Sequence, residues 1–325
     1  MKKPLILLVI ITYFPILVAV GIPANIMAIV ILLRGKCGLS KCVALYLVMM
    51  SASDLMVLVF AVLFGRIIFI FHPESFLHIT PLCSLNKVLL YLAKDTSVWF
   101  TVAFSFDRFI AICCHKLKTK YCTWRTARVV TLIIFVLFSI KNIPIFFAFK
   151  PQIKIKNVPW FCQFKEIVFT APEWIAFDWI DYILTPLIPF FLILLLNSMT
   201  VRYISVASRV RRRIRITKPQ SQNDPEIKNR RKSIILLFTI SGIFILLWMT
   251  RVIDFFYYYI TSNFSDRDFN DAAFALKYSG DMLQLLSSCT NMFIYVVTQA
   301  KFREELRNLA KYPFICILKL VQLKK

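Results

Sequence analysis

The chain has 325 residues, 59% of them hydrophobic and 31 of them Phe, with a mean hydropathy of +0.70; this is too apolar for a soluble globular protein of ordinary composition. The net charge of +23 would suit nucleic acid, but such binders gather basic residues on one soluble face, and here they lie between apolar runs. Composition therefore excludes a soluble protein and a nucleic-acid partner, and puts the chain in a membrane.

Crossing about 30 Å of hydrocarbon at about 1.5 Å per residue takes roughly 20 apolar residues. Runs of that length predict seven spans, roughly Leu5 to Leu33, Ala44 to Phe71, Cys83 to Cys113, Val129 to Phe149, Trp174 to Val201, Ile234 to Ile260 and Ala272 to Thr298. Lys2 and Lys3 resemble the start of a signal peptide, but the run behind them is too long and lacks a small-x-small cleavage site, so it reads as the first span. Of the 40 Lys and Arg, 27 fall within 34–41, 108–128, 202–232 and 301–325. Placing these segments inside puts the N-terminus outside and the C-terminus in the cytoplasm.

Segment 202–232 reads as a continuation of helix five, a break from Lys218 to Pro225, and a restart at Lys228. Its basic residues suit anionic membrane lipid and an acidic cytosolic protein partner. From Gln299 to Lys311 apolar and charged residues alternate at helical spacing, which predicts an amphipathic helix along the inner membrane face. The expected organisation is thus a seven-transmembrane helix bundle over 1–298, an all-α membrane protein, followed by a short amphipathic eighth helix and tail over 299–325.

Of the nine Cys, this topology leaves only Cys83 and Cys162 on the oxidising side, and they are expected to form a disulfide. Asn263-Phe264-Ser265 is a glycosylation sequon in the last outer loop, close to the membrane.

Ionisable groups inside spans are costly unless paired or functional. Asp107 and Arg108 end the third span and point to a conformational switch. Asp54, Ser97, Ser288 and Asn291 fall at mid-bilayer depth on spans two, three and seven, where a carboxylate needs partners or a cation. A hydrated sodium ion fits these residue types; a protonated Asp54 bonded to Asn25 and Asn291 fits them as well. Toward the outside lie Lys94, Asp95, Arg251, Asp254, Lys277, Asp281 and Gln284 among Tyr91, Trp99, Trp248, Phe255, Tyr258 and Tyr278. That mixture implies a wet, charged ligand cavity. A zwitterion would suit it, with Arg251 forking onto a carboxylate and Asp281 taking an ammonium. The competing reading is mutual pairing, such as Arg251 with Asp254.

Along almost its whole length the chain resembles the rhodopsin-like (class A) G-protein-coupled receptors. Asp107-Arg108-Phe109 resembles their Asp-Arg-Tyr, and Leu45 to Asp54 resembles the segment ending in their buried Asp. Asn25 matches the Asn of their first helix, with Ala24 in place of the usual Gly. Phe244 to Thr250 is similar to Phe-x-x-Cys-Trp-x-Pro, Asn291 to Tyr295 to Asn-Pro-x-x-Tyr with Phe302 following, and Pro189 and Asn197 fit helix five. Thr250 and Met292 replace kink prolines, so helices six and seven are expected to be straighter. Arg230 stands where many members carry an acid, so that cross-helix lock is expected to be missing. Arg34 to Cys42 and Trp248 to Arg251 further resemble orphan-type receptors responsive to tryptophan and phenylalanine.

The resemblance implies a plasma-membrane receptor that binds a small extracellular ligand through Tyr91, Lys94, Asp95, Trp248, Arg251, Phe255, Asp281 and Gln284. Asp107, Arg108, Asn197, Phe244, Trp248, Asn291 and Tyr295 would then rearrange to activate a heterotrimeric G protein. Leu285 and Leu90 stand where a retinal lysine and an amine-binding Asp would be, which excludes both ligand chemistries. The alternative class is a transporter or channel for a small charged solute; the lack of internal repeats and the mere six Gly argue against it. An enzyme is not expected: His72, His78 and His115 form no cluster in the spans, and no paired carboxylates stand at one depth. No cofactor is expected apart from the sodium ion.

Overall fold

A computed structural model describes residues 5–215, 225–261 and 272–322. Helix α1 is Leu5–Leu33, α2 runs over Lys41–Phe71 and α3 is Thr80–Cys113. Helix α4 is Trp124–Asn142, tightening to a 3₁₀ turn at Ile143–Ala148. Helix α5 comprises Pro172–Tyr182, a wide turn Ile183–Leu187, and Ile188–Arg215. Helices α6 (Pro225–Thr261), α7 (Ala272–Thr298) and α8 (Ala300–Gln322) complete the described chain. The fold is the expected seven-helix bundle with an eighth helix appended. Asn263 lies outside the described residues, as do the residues of the expected break at 216–224.

Local chemistry sets the helix boundaries. Ser40 and Thr123 cap α2 and α4 by accepting the Val43 and Thr126 N–H groups, and Pro81 and Pro172 open α3 and α5, where a missing N–H costs nothing. The caps start α4 five residues earlier than hydropathy suggests, because polar Trp124 to Arg128 still make helical bonds. Six helices are long and apolar enough to cross a membrane among the described residues; α7, which carries Lys277, Asp281, Gln284 and Asn291, is the less apolar seventh. Without their prolines, α6 and α7 run uninterrupted, and they approach closely: a Cβ at Gly280 would lie 3.3 Å from the Arg251 backbone.

Two wide turns break the regularity that periodicity predicts. In α5 the Ile188 N–H reaches back to the Ile183 carbonyl, and the next donor in that register is Pro189, which has none. The Leu184 carbonyl so freed accepts the Trp99 indole N–H at 3.1 Å, tying α3 to α5. In α2 the wide stretch Leu58–Ile67 presents the Phe60 carbonyl to Asn86 of α3, which donates to it at 3.1 Å.

The largest core cluster fills the inner half of the bundle around Leu47, Phe100, Phe104, Leu237, Tyr295 and Phe302. A second packs Phe14, Leu58 and Ala93 against Leu285, and a third joins Val98, Phe190, Phe244 and Trp248. Val129, Leu132, Val136, Leu137 and Ile140 of α4 are exposed, an apolar face that suits hydrocarbon.

Between α4 and α5 the chain forms two small antiparallel pairs, β1 (Phe149–Lys150) with β4 (Gln163–Phe164) and β2 (Ile153–Ile155) with β3 (Val158–Trp160). Lys156 and Asn157 both take positive φ in the two-residue turn between β2 and β3, as a tight hairpin requires. Cys83 and Cys162 form the expected disulfide, fixing this loop to the start of α3. Cys83→Ser or Cys162→Ser is expected to cost about 2 to 5 kcal/mol. A solubilised variant melting at the parent Tm would refute it.

Candidate functional site

A cavity of about 600 Å³ opens between α3, α5, α6 and α7 at the end of the bundle that carries the tethered loop, under its Phe164, Val168 and Phe169. Seven of the eight expected ligand residues line it: Tyr91, Lys94, Asp95, Trp248, Arg251, Phe255 and Gln284. The exception is Asp281, which stands back from the wall because two cations hold it, Arg66 at 3.3 Å and Arg251 at 3.5 Å.

Pairing has consumed most of the other charges. The guanidinium of Arg251 donates to Asp254 at 2.8 Å, the i,i+3 pair weighed above. Asp95, almost fully buried, accepts from Lys141 at 2.8 Å and Asn142 at 2.7 Å. Lys141 also holds Asp181. Sequence reasoning passed over Lys141, Asp178 and Asp181, although each is a charge inside an apolar span and the rule that singled out Lys94 covered them equally. Aromatics form the rest of the wall: Tyr182 stacks on Phe255, and Trp179 packs edge-on against Phe255. At the floor, Trp248 donates to Ser287 at 3.1 Å and touches Phe244, ring centroids 5.4 Å apart. Phe244 in turn meets Phe190 at 5.4 Å. A packed aromatic path therefore leaves the cavity floor and enters the bundle centre.

Halfway down, Asp54 accepts from Ser97 and from Asn291, each at 2.6 Å, and Ser288 stands beside it. Asn25 is not a partner of Asp54. It donates instead to the Gly21 and Ser288 carbonyls at 3.0 and 2.8 Å, joining α1 to α7.

At the end of the bundle opposite the cavity, Asp107 binds the Arg108 guanidinium, with Nε at 3.1 Å. Asp107 also accepts the Cys42 thiol at 3.0 Å. Arg108 reaches across to α6, donating to Ser233 at 3.2 Å; the Arg230 side chain lies outside the described residues. Cys122, in the loop after α3, donates to the Asp107 backbone carbonyl. Burial and the Asp107 carboxylate push its thiol up to about 12, so it stays a neutral donor. Tyr295 is buried on Phe302 of α8, and the buried Asn197 side-chain oxygen has no partner among the described residues.

A seven-helix membrane bundle with a cavity at one end, a buried polar centre and an Asp-Arg pair at the other end has the architecture of a transmembrane receptor. The family described as 7 transmembrane receptor (rhodopsin family) matches residues 24–295, and the chain belongs to that family. It is similar to galanin receptor type 2 of Rattus norvegicus, 22% identical over 91% of this chain and 74% of the relative. Chemerin-like receptor 2 of Mus musculus is likewise 22% identical, over 90% and 77%.

Proposed function

We propose that the chain binds a small zwitterionic ligand with an aromatic side chain, such as an aromatic amino acid or a short peptide, in the outer cavity and activates a heterotrimeric G protein. One observation carries this reading: a cavity walled by aromatics and by charges of both signs rests on Trp248, from which packed rings lead toward the inner half. In this reading the cavity faces outward from the plasma membrane. Residues 1–298 form the receptor domain, and α8 with the following residues lies in the cytoplasm. Ligand contact near Trp248 shifts the population toward a packing in which α6 leaves α3. Arg108, Asn197 and Tyr295 then rearrange to open a cleft for the G protein. The test is nucleotide exchange on G-protein heterotrimers by the chain in lipid nanodiscs, titrated with L-tryptophan and L-phenylalanine. Exchange that Arg108→Ala abolishes supports the reading; no exchange, together with solute or ion flux through the reconstituted protein, overturns it in favour of transport.

Asp107 does not hold Arg108 alone, since the Ser233 hydroxyl links the same guanidinium to α6. A carboxylate there would strengthen the closed packing. Ser233→Glu is expected to lower basal exchange by roughly fivefold, about 1 kcal/mol, and basal exchange equal to or above the parent at matched surface level would count against the lock.

The carboxylate of Asp54 and the hydroxyls of Ser97 and Ser288 form an oxygen donor set suited to a hard monovalent cation. In the proposed reading a sodium ion there ties α2, α3 and α7 together in the inactive packing. Sodium chloride should then raise the Tm of the parent more than choline chloride does. Asp54→Asn should erase the difference, and an undiminished difference in that variant would remove the site.

A further inference from the structure

The charges on the cavity wall do not cancel among themselves, and the remainder has a pattern. Arg251 is committed to Asp254 and Asp281, and Lys141 from α4 is committed to Asp95 and Asp181. Lys277 sits exposed toward the outside. Two wall residues remain. Lys94, half-buried on α3 one turn inward of Tyr91, makes no ion pair and no hydrogen bond among the described residues. Asp178 on α5 makes no ion pair there either; one of its oxygens accepts the Tyr259 hydroxyl at 2.7 Å, its one side-chain hydrogen bond among the described residues. Asp281 and Asp181 act on Lys94, and Arg251 on Asp178, only from beyond ion-pair distance; a charge in a bundle interior with no counter-charge in contact is costly, and a ligand of opposite charge recovers that cost on binding. One part-buried cation and one part-buried anion, each outside any ion pair, on the wall of an aromatic-lined cavity call for a molecule carrying both charges.

We infer that Lys94 and Asp178 are the two groups that read the ligand's charges, Lys94 taking its carboxylate and Asp178 its ammonium. This assigns the roles differently from Arg251 and Asp281, whose charges are already matched within the protein. It also makes the site selective: an amine without an acid leaves Lys94 unmatched, and an acid without an amine leaves Asp178 unmatched. The inference rests on the receptor reading above and names the ligand chemistry of that same cavity.

The test uses the full chain at the cell surface, counted by an epitope tag, with G-protein activation read against L-tryptophan, tryptamine (no carboxylate) and indole-3-propionate (no amine). The parent should respond to L-tryptophan at concentrations about tenfold to a hundredfold below either analogue, the ordinary worth of one charge-assisted contact. Lys94→Met should remove the preference for L-tryptophan over tryptamine while keeping that over indole-3-propionate. Asp178→Asn should do the reverse. Should Lys94→Met fail to reach the surface, Lys94→Gln carries the same expectation. A parent activated by L-tryptophan, with both variants keeping both preferences, overturns the inference and leaves the receptor reading standing. Silence of the parent toward all three compounds with basal exchange intact overturns the pair together with the zwitterion class. Loss of basal exchange as well would instead bring down the receptor reading itself.

Discussion

Lys141→Met is expected to destabilise the bundle by about 3 to 5 kcal/mol and to remove most receptor from the cell surface. The lysine is the shared counter-ion of two carboxylates, Asp95 on α3 and Asp181 on α5, and the side-chain exposures of Lys141 and Asp95 are 13% and 2%. Two anions left facing each other in a low-dielectric interior have no counter-ion, Asp95 keeping only its Asn142 bond, and removing one member of such a buried set costs more than the set itself contributes. Met keeps the length and packing of the aliphatic stem, so the loss isolates the charge. The companion variant is the triple Asp95→Asn, Lys141→Met, Asp181→Asn, in which no charge is stranded; it should recover most of the lost Tm. A triple variant no more stable than Lys141→Met would show that the lysine acts through packing, for which its place 5.6 Å from the Phe138 ring centre offers a basis.

The same cluster shows what hydropathy and spacing can and cannot reach. Spans are legible because hydrocarbon thickness imposes a length and a composition: each of the seven lies on a helix that forms, and the large differences are at polar ends, where α5 runs on to Arg215 and α6 starts at Pro225. The disulfide follows from topology alone. The Asp107–Arg108 pair was legible because the two residues stand adjacent in the chain. Partners on other helices are not written in any local pattern: Ser233 for Arg108, Cys42 for Asp107, Lys141 for Asp95 and Arg66 for Asp281 all depend on helix rotation and on the two wide turns. Those turns arise where several residues stretch a helical ring by one position, and only their downstream effect, a carbonyl that Trp99 or Asn86 reaches, makes their purpose plain. Which charges face the cavity outside an ion pair is a subtraction that requires every pair to be known, so the sequence places Lys94 and Arg251 alike among the ligand residues and cannot divide the roles between them.

Arg251→Met is expected to lower surface receptor sharply while leaving ligand potency at the surviving receptors within about twofold of the parent. Its guanidinium serves two carboxylates, Asp254 at 2.8 Å and Asp281 at 3.5 Å, and it lies over the Tyr182 ring at 5.9 Å, so it joins α6 to α7 and α5. Asp281 retains Arg66 when Arg251 is lost, and the Arg251 side chain is 23% exposed to the cavity; the cost should therefore sit near 3 kcal/mol, the low end for a broken buried pair. Asp254→Asn added to Arg251→Met removes the stranded charge and should restore part of the Tm, giving a coupling between the two residues of at least about 1 kcal/mol. Arg251→Lys separates the two roles most cleanly. A lysine keeps the charge but not the planar fork, so a structural Arg251 predicts a moderate loss of stability and unaltered potency. A ligand-anchoring Arg251 predicts near-parent expression and a potency loss of about 1.5 to 3 kcal/mol, roughly tenfold or more. Dose-response curves normalised to surface receptor, taken for the Lys, Met and double variants, decide between them. A tenfold potency loss at parent-like expression would return the carboxylate to Arg251 and take it from Lys94.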